Sequence, residues 1–149
     1  MAIAVALHVL AAIVWVGGMF FAHQCLRPVL AAYEPPQRIA VMAGALRRFF
    51  VWVWIAVALL LVTGFGQVAA IGLAGWGPHV HAMMALGIVM MLLFGHLYFA
   101  PNRRLQAAVA RADWPAAGRA LGQIRRIVEI NLLLGLVTAA IGASGRYWG

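Results

Sequence analysis

The sequence predicts an all-α integral membrane protein, a four-helix bundle, and three observations carry that prediction. The 149 residues are 66% hydrophobic and only 9% charged, too little polar surface for a water-soluble domain of this length. The long apolar runs exceed the roughly 18 residues that mark a membrane-spanning helix. All eleven basic residues are arginine, and ten fall in two clusters, Arg27, Arg38, Arg47, Arg48 and then Arg103, Arg104, Arg111, Arg119, Arg125, Arg126. Clusters in alternate connections are the positive-inside pattern. The net charge of +8 therefore points to the lipid bilayer as the partner and not to nucleic acid. Both termini are expected in the periplasm.

The chain reads as a single domain, 1–149, with four spans. The first runs from Ile3 to Leu26 and is expected to stop at Arg27-Pro28, since proline cannot continue the helix. Met1–Val5 lacks the charged start of a secretory signal, so this run is expected to be retained. Cys25 is the sole cysteine, which rules out an intrachain disulfide, and it is expected to be a small buried hydrophobe. After the proline-containing loop Ala31–Gln37, an amphipathic lead-in from Arg38 reaches Arg47-Arg48. The second span covers Phe49 to Ile71, with Trp52 and Trp54 near the inner interface.

Ile71–Pro78 is glycine-rich, carries no charge and is expected to be the outer turn. The third span is His79 to Ala100. Pro101–Gly122 is expected to lie along the inner surface as an amphipathic piece, with Asp113-Trp114-Pro115 as a helix-start signal. The fourth span covers Ile124 to Gly142.

The first and third spans repeat each other. At an offset of 73, His8 matches His81, His23 matches His96 and Pro28 matches Pro101, with Ala12/Ala85, Val16/Val89 and Phe21/Phe94 between them. Leu61-Val62-Thr63 is echoed by Leu136-Val137-Thr138 at a different offset. A duplicated two-helix hairpin with parallel repeats accounts for both. Parallel first and third spans put His8 and His81 at one depth, near the outer face, and His23 and His96 at another.

Fifteen residues rise about 22 Å and leave the two histidines of each helix about 60° apart. Such histidines are candidate axial ligands for one or two haems b between helices 1 and 3, through His8 with His81 and His23 with His96. Ala12, Ala85, Ala22, Gly95 and Gly17-Gly18 supply small residues beside them. The protein would then transfer electrons to a redox partner or quinone. Satisfied core or interfacial histidines are the structural alternative.

A second constellation opens helix 3. His79, His81, Met83 and Met84 combine imidazole with thioether sulfur, the donors suited to Cu(I), and His79 and Met83 lie one turn apart on one face. Met90 and Met91 read as gap-filling side chains. Glu129 is expected to pair with Arg125 and Arg126 at the interface, or to serve with Asn131 as a proton or haem-edge contact. A structural membrane subunit without a cofactor, alone or as a homo-oligomer, is the third reading. Nucleophile triads, phosphate loops and zinc spacings are absent from the sequence.

The segments LHVLAAIVWVGGMFF, RRFF, LVTG, VHAMM and GHLYFAP, with the arginine-led last helix, resemble the copper-resistance D (CopD) family over nearly the whole chain. The resemblance implies a multi-pass protein of the bacterial inner membrane, with copper uptake or tolerance as its role. It extends distantly to HemJ-type protoporphyrinogen oxidases, four-helix proteins that bind haem b, whose first-helix histidine corresponds to His8. Those oxidases carry a functional lysine in a tract resembling HAKLAL. Here the tract is HAMMAL, with Met83 at the lysine position, which argues against protoporphyrinogen oxidation and leaves His81 or Met83 as a ligand opposite His8.

Overall fold

The computed structural model describes all residues except Leu73, Ala74, Trp148 and Gly149, and describes Arg146 as backbone alone. The expected outer turn over Ile71–Pro78 falls partly outside the described residues, and the end of the tail does so entirely. Four helices are long and apolar enough to cross a membrane: α1 (Ala2–Leu30), α2 (Pro35–Ile71), α3 (Pro78–Ala110) and α4 (Trp114–Ser144). No strand occurs among the described residues.

The helices run past the expected span ends. Pro28 does not stop α1, because the chain widens into a π-helical turn over Phe21–Leu26 just before it, where the Arg27 N–H bonds the Ala22 carbonyl. A π-turn re-phases the helix and makes room for a residue that cannot donate. The repeat holds here as well, since α3 passes Pro101 through its own π-helical turn, Tyr98–Asn102. Cys25 does not sit in the core. It is exposed, on the outward face of the first π-turn with Phe21 and Val29 at spacings of four.

At the arginine end, α2, α3 and α4 continue as a packed three-helix unit. The 37 residues of α2 extend about 55 Å, well beyond the roughly 30 Å of hydrocarbon. Leu105 and Ala108 of α3 meet Ala117, Ala120 and Ile124 of α4, and Ile39, Met42, Ala43 and Leu46 of α2 are buried with them. The Gln106 side-chain amide donates to the Ala43 carbonyl at 3.2 Å. Residues 101–122 therefore form a helical hairpin packed on α2 and not a single amphipathic piece. Their apolar stripe is covered by protein.

The hairpin turn closes α3 with a Schellman pattern: Asp113 N–H to Ala108 O at 2.9 Å and Ala112 N–H to Val109 O at 3.0 Å. Ala112 takes the left-handed position, at φ 54°, where glycine is the usual occupant. Asp113 then caps α4 by accepting from the Ala116 N–H at 3.0 Å. At the opposite end Gly72, φ 81°, terminates α2.

Within the spans, α1 pairs with α2 and α3 with α4, while α4 also reaches α1 and α2. The line between α1 and α3 is closed by aromatic rings: Trp15 meets Phe94 edge to face at 5.9 Å, and Phe50 meets Phe94 at 5.7 Å. Trp54 and Tyr98 extend the cluster. Each such ring pair adds about 0.5–1.5 kcal/mol beyond the area it buries.

Candidate functional site

The face of α3 that carries His79, Met83 and Met90 is turned onto α4. These positions are separated by four and seven residues and so form one stripe. Opposite them lie Gly145, Gly142 and Gly135. A Cβ placed on Gly142 would come within 2.9 Å of the Met83 methyl and 3.3 Å of its sulfur, and one on Gly135 would stand 3.1 Å from the Met90 methyl. A Cβ on Gly145 would run into the His79 ring. The glycines thus form a groove in which an imidazole and two thioethers lie.

Polar groups gather where the stripe is deepest. Met90 is buried, and the Thr138 hydroxyl stands 4.0 Å from its sulfur while donating to the Leu134 carbonyl at 2.7 Å. The Asn131 side-chain amide donates to the Met90 carbonyl at 3.4 Å. Asn131 is only 2% exposed, and its Oδ1 has no partner among the described residues.

His81 and Met84 belong to other faces. His81 is exposed and its Nδ1 donates to the Gly77 carbonyl at 3.1 Å, within the first turn of its own helix. Met84 is half-buried. Of the four sequence candidates for copper, the structure brings His79 and Met83 together against α4.

The histidines matched by the repeat have separate neighbours. His8 faces α2, where its Nδ1 lies 2.8 Å from the Thr63 hydroxyl. That hydroxyl gives its proton to the Leu59 carbonyl at 2.6 Å, so His8 donates through Nδ1–H and keeps its Nε2 lone pair. The His8 ring packs over Gly64. His8 and His81 therefore do not meet: one is held by α2 and the other by the start of α3. Of the glycine gaps expected beside a macrocycle, one is filled and two are open. Phe49 occupies the space beside Gly18, Gly17 and Gly95 have no neighbour within 4 Å of a Cβ position, and Trp15, Phe50 and Phe94 fill the line between the helices. In this packing His8 and His81 each have a hydrogen-bond partner of their own, the Thr63 hydroxyl and the Gly77 carbonyl.

At the arginine end His23 crosses to α4. Its Nε2 is 2.8 Å from Glu129 Oε1, and Arg27 and Arg125 each stand 4.0 Å from the same oxygen. Glu129 thus takes His23 as its nearest partner, with Arg27 in the place expected for Arg126. His96 is exposed, in a cleft lined by Pro101, Arg104, Gln123 and Arg126. His23 and His96 are not a pair either.

Two features escaped sequence reasoning. The glycines of α4 form a groove, signalled in the sequence only by the seven-residue spacing of Gly135 and Gly142. The His23–Glu129 contact joins residues 106 apart, and nothing local announces it. Among the described residues, no three His, Cys, Asp or Glu side chains converge as a metal cluster, so a soft metal would have to be held by imidazole and thioether together.

Residues 43–144 fit the family model described as copper resistance protein D. No curated protein and no solved structure matched the chain.

Proposed function

The chain belongs to the copper resistance protein D family, and on that premise we propose that it handles copper in the membrane, as an uptake or tolerance protein of the bacterial inner membrane that takes Cu(I) between His79 and Met83. The observation that supports this reading most is the seating of both side chains, one turn apart on α3, in the glycine groove of α4. Thioether and imidazole are neutral donors matched to a soft monovalent ion. They bind it without first losing a proton, and a neutral donor costs less to hold at membrane depth than a carboxylate. The arginine clusters support an orientation in which this end faces the periplasm, where metal arrives. Met90 continues the donor stripe inward, with Thr138 and Asn131 as its polar neighbours.

The experiment is copper content and copper tolerance of bacterial cells expressing the protein. Wild type is expected to shift both relative to vector alone, and His79→Asn/Met83→Leu to return them to the vector level. An unchanged shift in that variant, with normal membrane abundance, overturns the assignment.

A second reading rests on His8. Its Thr63 bond leaves the Nε2 lone pair available, as in an imidazole oriented for ligation. Bound haem b would supply a one-electron centre, with His8 holding it from α1 and Thr63 fixing the ring. The optical spectrum of protein purified from haem-replete cells decides this. A band abolished by His8→Ala sustains the reading, and colourless protein ends it.

A further inference from the structure

The arginine-rich end of the bundle carries a second pairing of soft donors. His23 lies in the π-turn of α1, with its side chain 16% exposed and Nε2 2.8 Å from Glu129 Oε1. A carboxylate only accepts, so in the neutral imidazole Nε2 carries the proton and Nδ1 the lone pair. That Nδ1 is buried and has no hydrogen-bond partner among the described residues. A buried nitrogen left unpaired costs free energy. An imidazole that donates one N–H to a carboxylate and keeps its other nitrogen free is the arrangement that orients metal-ligating histidines.

Met19, the second soft donor at this depth, lies four residues before His23 and is 2% exposed, a spacing of about one helical turn. The local charge selects among metals. Arg27 and Arg125 flank the carboxylate at 4.0 Å, so a divalent ion would meet two guanidinium groups, whereas a monovalent soft ion is repelled half as strongly. We infer that Met19 and His23 form a second Cu(I) site at the arginine-rich end of the bundle, with Glu129 as the positioning residue for the His23 ring. This rests on the copper reading above. It adds a polarity, with one His–Met pair at each end of the bundle.

The test is anaerobic Cu(I) titration of the full-length protein in detergent, against a chromogenic Cu(I) chelator. Wild type is expected to bind two ions, and Met19→Leu/His23→Asn to bind one, which also reports that this variant is folded. His79→Asn/Met83→Leu is expected to bind one ion, at the inner end. In that background Glu129→Ala should weaken the remaining ion about 10–100-fold. Glu129→Gln, which can still accept the His23 N–H, should recover most of that loss. Two ions retained in Met19→Leu/His23→Asn overturn the inner site. So does a single wild-type ion that only the His79/Met83 change removes, and that result leaves the outer reading standing. A single ion removed only by the Met19/His23 change sustains the inner site and sinks the outer one. No bound ion in the wild type overturns both.

Discussion

His23 and Glu129 tie α1 to α4 through a contact of 2.8 Å between Nε2 and Oε1, bridging residues 106 apart in the chain. At the arginine end it is the shorter of two polar links between the first and last spans, the other being Arg27 to the same oxygen at 4.0 Å. A double-mutant cycle of His23→Ala and Glu129→Ala, read by thermal unfolding in detergent, is expected to be non-additive. The double variant should melt close to the worse single variant. Strict additivity would mean that the two side chains act independently.

Ala112 holds the left-handed position of the α3–α4 turn at φ 54°, which costs a residue with a Cβ about 1–2 kcal/mol. Ala112→Gly is expected to stabilise the protein by about 1 kcal/mol, after the entropy that glycine adds to the unfolded chain. A raised midpoint of thermal unfolding checks this. A lowered midpoint would place the turn in another conformation.

The glycines of α4 should separate packing from metal binding. Gly135→Ala is expected to destabilise by about 1–3 kcal/mol, because its Cβ would lie 2.8 Å from Val16, a side chain stiff at χ1. Gly142→Ala meets only the flexible end of Met83, so stability should change little. The displaced sulfur should nonetheless weaken Cu(I) binding measurably. Equal stability losses at the two positions would contradict this packing.

Topology gives a further expectation. A periplasm-active reporter fused to the C-terminus should be active, because ten of eleven arginines cluster at the other end of the bundle. Activity only from a cytoplasmic reporter would invert the assigned orientation.

The four spans were legible because each carries an apolar run longer than hydrocarbon requires, whatever its neighbours. The arginine-end hairpin was not, since an amphipathic stripe such as Leu105, Ala108, Ala117 and Ala120 reads the same whether lipid or protein covers it. Only the structure shows Ile39, Met42 and Ala43 completing that core. The histidine repeat gave depth along each helix and left open the rotation about its axis. His8 turned to Thr63, and His81 to the carbonyl of Gly77. His79 and Met83 were legible as a shared face because a spacing of four fixes relative rotation within one helix. The helix they face was not, for want of any local signal beyond the glycine spacing in α4.

Copper K-edge X-ray absorption tests the central claim most directly, on full-length protein carrying Met19→Leu/His23→Asn and loaded with one equivalent of Cu(I). The expected spectrum contains both sulfur and nitrogen scatterers, with sulfur lost in an added Met83→Leu and nitrogen lost in an added His79→Asn. A spectrum that neither substitution alters would contradict the placement of copper between His79 and Met83.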